Sequence, residues 1–380
     1  MSATKMLPIA AVLGATALLA AACGSSGTGG GSGASATQSA TASSKYSALA
    51  SYISKLQQRP TSINITEPIG VAIPKGKTIA YIQCGSPACV ANGDVLEQAV
   101  KTAGWNVSRI DAGLTAESIK SAWDQAVSQH PDAVITSGFS RALFNPELAQ
   151  LAAKKIPVID LTTADNPGNG LTAVYGYGPQ WTTQGKIIAD YMLVNSGTAT
   201  VKALSVTVSA YQNLTMIADG LDSELKAQCA GCSSSVLAVP VSSIGSDLPT
   251  RITSYLSAHP DVNWVYVGFA DMMAGLPAAL QSAGLGNVKL VTIDDTPASE
   301  TYMKNGQSLE MSAGFDVREM MWRSVDYLIR LWTGKSTTQN TDVNGLPLWV
   351  ITKDNLPSTT SYFPYVADYP GQYKKLWGVG

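Results

Sequence analysis

Short apolar runs alternate with amphipathic stretches along the chain from about residue 77 to residue 300. The runs TIAYI (78–82) and DAVITS (132–137) are rich in apolar and β-branched residues, as expected of strands buried on both faces. Helical periodicity follows most of these runs. The predicted helices lie near 88–103, 115–129, 145–154, 180–195, 212–228, 247–258 and 271–283. This alternation predicts an α/β protein that is built from βαβ units with parallel sheets.

The triplet HPD occurs twice, and it contains the only two histidines of the chain, His130 and His259. Each triplet ends a predicted helix and precedes a predicted strand, because proline disfavours the helical conformation in the residue before it. The two copies lie 129 residues apart (259 − 130), which is about the length of one domain. The repeated triplet indicates two similar lobes. Its position also favours a role for both histidines as helix-end residues and not as catalytic residues.

The N-terminus has the features of an export signal. Lys5 is the only charge before an apolar run at 6–22, which ends in small residues before Cys23. The segment LAAAC resembles a bacterial lipobox with its leucine one place early, which predicts cleavage and lipidation at Cys23; plain secretion is the alternative. Residues 24–44 are all small or polar and none is charged, and they predict a flexible tether.

Charge and motifs exclude several functions. The chain has 25 Lys and Arg against 27 Asp and Glu, and loss of Lys5 with the signal gives 24 − 27 = −3. This balance gives no electrostatic reason to expect nucleic acid as a partner. The sequence has no GxxxxGK[ST], GxSxG or HExxH motif, so it predicts neither an enzyme nor a bound cofactor or metal. About 335 residues follow the tether. This length is more than a single hydrophobic core usually supports, so it predicts two lobes.

Four cysteines remain after Cys23, and an even number in an exported chain suggests disulfide bonds. Proximity in sequence favours Cys84 with Cys89 and Cys229 with Cys232 over the two crossed pairings. The second pair, CAGC, also fits a redox motif, but it follows a predicted helix instead of beginning one, which favours a structural bond. A metal site at the first pair is disfavoured because no histidine is near to complete it.

Four segments resemble the type I periplasmic binding proteins, and among them the ribose-binding-protein-like receptors of ABC importers. They are AHPDVNWVYVGFADMMAGLPAALQSAG, LVTIDDTPASETYMKNGQ, TQGKIIADYM and TSINITEPIGVAIPKGKTIAYIQCG, the last with a paired-cysteine first loop. The resemblance covers about residues 77–340. It implies two Rossmann-like lobes with parallel sheets, joined by a three-strand hinge that crosses near 174–178, 312–316 and 344–348.

The resemblance also implies a domain order and a role. The order is a signal peptide (1–22), a tether (23–44), an N-terminal helix and lead-in (45–76), lobe one (77–175 plus 316–345), lobe two (176–315 plus 346–357) and a C-terminal tail (358–380). The implied role is a lipid-anchored, extracytoplasmic, monomeric receptor that delivers a small sugar-like or other polar solute to an ABC permease. The alternative is a module that presents a ligand to a sensor kinase or chemoreceptor.

Ligands of open α/β sheets bind outside the carboxyl ends of the strands, which places the candidate site in the loops there. The candidate ligand-binding residues are Gln83, Ser86, Ser137, Phe139, Thr162, Tyr177, Trp181, Tyr211, Asn213, Phe269, Asp271, Asp294 and Asp316. Asp294 follows the strand VKLVTI and is the predicted polar anchor, with capping of a helix near Pro297 as the alternative. Phe269 stands where ribose receptors have an asparagine, and Thr162 stands where they have an aspartate, which argues against ribose. A Cys84–Cys89 bond would preorganise the first loop.

Overall fold

The computed structural model describes residues 45–85, 87–113, 115–358 and 362–380. The predicted signal peptide, the tether, Cys23 and Ser86 therefore lie outside the described residues. The described chain forms two α/β lobes with one sheet each, which confirms the fold class that the alternating pattern predicts. Across the described ranges, no helix is long and apolar enough to cross a membrane.

Lobe one has a five-stranded parallel sheet. Its strands are β1 Thr78–Gln83, β2 Asn106–Asp111, β3 Ala133–Ser137, β4 Val158–Leu161 and β5 Ala173–Tyr175, in the order β2-β1-β3-β4-β5. Lobe two has six strands: β6 Lys202–Val208, β7 Ser233–Val239, β8 Trp264–Val267, β9 Lys289–Thr292, β10 Leu309–Phe315 and β11 Leu348–Ile351. The order is β11-β10-β9-β8-β6-β7, and β11 alone runs antiparallel to its neighbour among these strands.

The helices lie close to the predicted positions. They are α1 Ser47–Leu56, α2 Pro87–Thr102, α3 Ala116–Gln129, α4 Asn145–Ala153, α5 Gly178–Asn195, α6 Gln212–Gln228, α7 Leu248–Ala258, α8 Leu276–Ser282, α9 Pro297–Lys304, α10 Val317–Thr333, α11 Thr338–Thr341 and α12 Tyr369–Trp377. The helix predicted near 271–283 is wrong in its first part. There a 3-10 turn, Ala270–Met273, precedes Gly275, whose left-handed φ of 73° interrupts the helix before α8.

Three passages between the sheets connect the lobes. The chain leaves lobe one after β5, returns to it after β10, and enters lobe two again at β11. In lobe two, α5 and α6 pack closely because Gly185 and Gly220 lie at their contact. A Cβ atom at either glycine would collide with backbone oxygen of the opposite helix, so both positions require glycine.

Both ends of the described chain pack over the hinge. Residues 57–76, which we call the N-terminal strap, run without regular structure and bury Ile63 and Ile69. Residues 362–380, which we call the C-terminal segment, contain α12 and place Tyr373 in the core. The two ends also bind each other, because the Ile69 backbone N–H donates to the backbone oxygen of Leu376 at 2.8 Å. The C-terminal segment is thus part of the folded body.

Asp160 on β4 is fully buried in lobe one. Burial, and then the charge of Asp165, raises the pKa of the Asp160 carboxyl well above its usual range. Asp160 therefore has a higher pKa in the folded state than in the unfolded state. At a pH between these two values the folded state binds more protons, so the free energy of unfolding falls as the pH rises through this range. Asp160→Asn is expected to be more stable than the parent protein at neutral pH.

This gain in stability should shrink towards about pH 4, where the unfolded carboxyl is itself protonated. Urea unfolding across the pH range measures it. The matched control is Asp219→Asn, because Asp219 is exposed on α6. A variant that stays less stable than the parent at every pH would contradict the prediction.

Candidate functional site

A cavity of about 560 Å³ lies between the lobes, at the carboxyl ends of their strands. Ala88 and Asn92, at the start of α2, line it from lobe one. The remaining lining residues come from the loops after β8 and β9, from the passage after β10 and from the C-terminal segment: Phe269, Ala270, Asp271, Asp294, Asp295, Thr296, Pro297, Phe315, Val317, Arg318, Tyr362 and Tyr365. A solute in this cavity would contact both lobes.

Asp294 and Asp295 follow β9 and both line the cavity. Asp294 has a left-handed φ of 60°, a conformation that aspartate and asparagine tolerate better than most residues. It does not cap α9, because the N-cap is Thr296, whose Oγ1 accepts from the Ser299 backbone N–H at 3.2 Å. The Asp294 side chain therefore lines the cavity and does not cap the helix.

Burial is the main cause of the raised pKa values of Asp294 and Asp295. It raises the pKa of Asp294 to about 7, and the charges of Asp295, Asp271 and Asp316 act in the same direction. It raises the pKa of Asp295 to about 6, although a hydrogen bond from Tyr365 lowers that value. The Tyr365 hydroxyl donates to Asp295 Oδ1 at 2.6 Å. Asp294 and Asp295 thus share one cavity but differ in their bonding.

Asp316 lies behind the cavity lining and is 5% exposed. Its carboxylate accepts from the Tyr362 hydroxyl, from the backbone N–H of Tyr365 at 3.1 Å and from that of Arg318 at 3.0 Å. These bonds make Asp316 the N-cap of α10 and the attachment point of the C-terminal segment. Its carboxylate therefore holds Tyr362 and Tyr365 at the cavity.

The first loop of lobe one joins Cys84 to Cys89, with the two Cα atoms 5.5 Å apart. Cys89 lies in the first turn of α2, between the lining residues Ala88 and Asn92. Cys229 is joined to Cys232 at the end of α6, with a Cα separation of 5.3 Å. The first pair thus constrains the part of lobe one that faces the cavity.

We predict that removing the first pair affects binding more than folding. Closing so short a loop adds less stability than closing a long one, whereas losing the loop's shape adds an ordering cost to binding. The double variant Cys84→Ala/Cys89→Ala should lose about two- to tenfold in affinity with a small change in melting temperature.

Cys229→Ala/Cys232→Ala is the matched control, because this second pair is absent from the cavity lining. Titration calorimetry and thermal unfolding of both double variants separate the two effects. An equal loss of affinity in the two variants would contradict the prediction. Non-reducing peptide mapping of the exported protein tests the pairing itself.

The predicted site residues divide into three groups. Phe269, Asp271 and Asp294 meet in the cavity. Ser86 lies outside the described residues. The other described members are absent from the lining: Gln83, Ser137, Phe139, Thr162, Tyr177, Trp181, Tyr211, Asn213 and Asp316.

Several of this third group have structural partners instead. Gln83 Oε1 accepts from the Arg109 guanidinium at 2.9 Å and 3.0 Å. Phe139 packs in the core of lobe one. The Trp181 indole N–H donates to the backbone oxygen of Thr163 at 2.8 Å. Two members lie next to the lining: Asp316, which bonds Tyr362 and Tyr365, and Tyr211, whose ring lies 6.2 Å from that of Phe269.

Sequence reasoning missed several lining residues, most of all Arg318, Tyr362 and Tyr365. The only signal for the tyrosines was their aromatic character in the segment SYFPY. Asp295, the neighbour of the predicted anchor Asp294, is not among the predicted residues and also lines the cavity. Among the described residues, no group of three or more His, Cys, Asp or Glu side chains is placed so that it could hold a metal ion.

A second cavity, of about 530 Å³, lies on the other side of Phe315. It is bordered by α1, by the N-terminal strap, by the start of α5 and by residues 343–348. None of the described candidate residues lines it. The interlobe cavity is therefore the candidate binding site.

The profile of the periplasmic binding protein domain matches residues 78–336, which is more than half of the chain. No curated protein matches the sequence. Together with the two-lobed fold and the cavity between the lobes, the profile defines the class of extracytoplasmic solute-binding proteins, which are receptors and not enzymes. The chain belongs to the periplasmic binding protein domain family, and the resemblance in its sequence is confirmed.

Solved structures with the same fold include GanP, a glucose-galactose binding protein from Geobacillus stearothermophilus. It is 18% identical, with a TM-score of 0.65 over 75% of this chain and 100% of that one. An ABC transporter solute-binding protein from Agrobacterium vitis, bound with α-D-tagatopyranose, is 18% identical, with a TM-score of 0.63 over 75% and 97% of the two chains. The XylFII–LytSN complex is 18% identical, with a TM-score of 0.61 over 74% and 100%. These likenesses show the fold.

Proposed function

We propose that the chain is the solute receptor of an ABC importer and that it captures a sugar-like, polyhydroxylated solute in the interlobe cavity. The observation that carries this proposal is the lining itself, which combines carboxylates with aromatic rings and comes from both lobes. Carboxylates accept hydrogen bonds from adjacent hydroxyl groups, and aromatic rings pack against the apolar faces of sugars. GanP and the Agrobacterium vitis protein support the choice of ligand class.

Binding by this receptor couples to hinge closure. A ligand shifts the balance between open and closed forms only if it contacts the two states differently, as a ligand does when it bridges the lobes. We propose Asn92 as the lobe-one contact and Phe269, Asp271, Asp294 and Asp295 as the lobe-two contacts. Tyr362 and Tyr365 then complete the site from the C-terminal segment.

The function is tested by isolating the solute that the receptor retains. Mass spectrometry of the receptor purified under native conditions should identify a polyhydroxylated compound, and calorimetry should show that this compound binds one site per chain. Deletion of the gene should abolish uptake of the same compound. Retention of an apolar compound by the interlobe cavity would contradict the proposal.

A sensing role is the second candidate, because the XylFII–LytSN structure is a complex of this fold with another protein. In this role the closed receptor would present its ligand to a membrane sensor. Uptake and signalling separate the two roles: loss of uptake on deletion supports the importer, and intact uptake with a lost transcriptional response supports the sensor.

We further propose that the receptor is a monomer that is held at the outer face of the membrane by a lipid on Cys23, with residues 24–44 as its tether. Cys23→Ser is expected to release the protein from the membrane or to leave its signal uncleaved. Membrane fractionation and the mass of the mature chain measure this. A cleaved variant that stays in the membrane fraction would contradict the lipid anchor. Light scattering of the soluble form measures the oligomeric state.

A further inference from the structure

The charge of the interlobe cavity is strongly one-sided. Three carboxylates line it, on Asp271, Asp294 and Asp295, against one cationic side chain, Arg318. Asp316 adds a fourth carboxylate directly behind the lining. The whole chain is nearly neutral, with a net charge of −2, so the excess of acid is a local property of the cavity.

Arg318 compensates only part of this negative charge. Its guanidinium carbon lies 3.1 Å from the centroid of the Tyr362 ring, so the cation is stacked on an aromatic face. Its charge lowers the pKa of Asp295, but at Asp294 burial and three neighbouring carboxylates all raise the pKa. Asp294 is therefore the carboxylate whose charge the surrounding protein compensates least.

The carboxylates also have bonding capacity that the protein leaves unused. Asp295 Oδ1 accepts from Tyr365, but Asp295 Oδ2 is buried with no hydrogen-bond partner among the described residues. By contrast, Asp316 accepts three hydrogen bonds from the described chain. A buried acceptor without a donor is costly, and a donor supplied by the ligand would remove that cost.

The walls around the acids are aromatic. Phe269, Phe315, Tyr362 and Tyr365 line the same cavity. Aromatic faces attract cations, and a desolvated carboxylate forms its strongest hydrogen bonds with a charged donor. An ammonium group has three hydrogen-bond donors and one positive charge. It can therefore donate to the unused acceptors and also neutralise part of the negative charge.

From this geometry we infer that the solute is cationic: a polyhydroxylated compound that carries an amine, such as an amino sugar, with its ammonium group at Asp294 and Asp295. The inference rests on the proposed function, since it names the subclass of ligand for the same cavity. A neutral sugar would fill the same volume, but it would leave the negative charges of the cavity uncompensated.

The test uses matched sugars that differ in one nitrogen. The probes are D-glucose, D-glucosamine and N-acetyl-D-glucosamine, together with the same three forms of galactose, each titrated by calorimetry near neutral pH. We expect the amine of the preferred series to bind about tenfold or more tighter than both its parent sugar and its N-acetyl form. The N-acetyl form controls for nitrogen without charge.

Asp294→Asn tests whether the preference arises at the proposed position. The ratio of amine to parent-sugar affinity should fall to near unity in this variant, whereas Asp219→Asn, on an exposed part of α6, should keep the ratio of the parent protein. High salt should also weaken the amine more than the parent sugar, because only the amine is held by charge.

The outcomes separate this inference from the proposed function. If a parent or N-acetyl sugar binds as tightly as the amine, the charge inference is overturned and the sugar receptor stands. Recovery of a neutral or anionic polyhydroxylated compound as the retained solute has the same meaning. If no probe binds and the retained solute is not polyhydroxylated, both the inference and the proposed ligand class are overturned.

Discussion

Arg323→Ala is expected to lower the free energy of unfolding by about 3–5 kcal/mol, the usual effect of breaking a buried ion pair by removing one partner. Arg323 lies on α10 and is fully buried. It pairs with Glu319, which is 2% exposed, at 3.1 Å. Loss of the guanidinium would leave the Glu319 carboxylate buried beside the Tyr373 hydroxyl as its one remaining donor in the described chain. Urea unfolding measures the loss.

The same guanidinium also joins separate parts of the chain. It donates to the backbone oxygen of Ile63 in the N-terminal strap at 2.6 Å, and to that of Gly345, near the last passage between the lobes, at 3.3 Å. Three backbone segments therefore meet at one side chain. The cost of losing it includes these buried acceptors as well as the ion pair.

Arg251→Ala is the matched control. Arg251 also pairs with an acid one helical turn away, Asp247 at 2.7 Å, but both side chains are about half exposed. An exposed pair of this kind contributes little to stability, because solvent screens the two charges. Similar losses in the two variants would show that the Arg323 network adds no stability of its own.

The fold was largely predictable because its signal is local. Strands buried on both faces are continuous apolar runs, and the helices between them show a clear apolar period, so α6 was predicted with both of its ends correct. The one break that was missed, at Gly275, depends on a single backbone angle. Whether a glycine interrupts a helix or continues it is decided by the surrounding packing.

The site was predictable only where a strand leads into it. Phe269 and Asp294 follow β8 and β9, and the carboxyl end of a parallel strand points to the cleft. Tyr362 and Tyr365 reach the cavity from a segment without periodicity, which Asp316 holds from 46 and 49 residues away. Contacts over such distances leave no local pattern. Side-chain direction is equally hidden in the sequence, and Phe139 points into the core of lobe one.

Asp294→Asn is expected to weaken binding of the native solute by about ten- to a hundredfold, which corresponds to about 1.5–3 kcal/mol for a hydrogen bond to a charged group. Asparagine is the better replacement than alanine because it tolerates the φ of 60° at this position. The variant should not lose stability, since Thr296 and not Asp294 caps α9. Calorimetry with the solute identified by mass spectrometry measures the loss.

The pH dependence of binding separates a charged anchor from a merely nearby residue. The pKa of Asp294 is raised to about 7 in the empty cavity, so below that pH the carboxyl must lose a proton before it can hold the ligand as a carboxylate. Affinity of the parent protein should therefore fall as the pH decreases from about 8 to about 6, by up to about tenfold per pH unit for one proton. Asp294→Asn should reduce this slope, and Asp219→Asn should keep it. Full affinity in Asp294→Asn, with the slope of the parent protein, would place the anchor on another residue of the cavity.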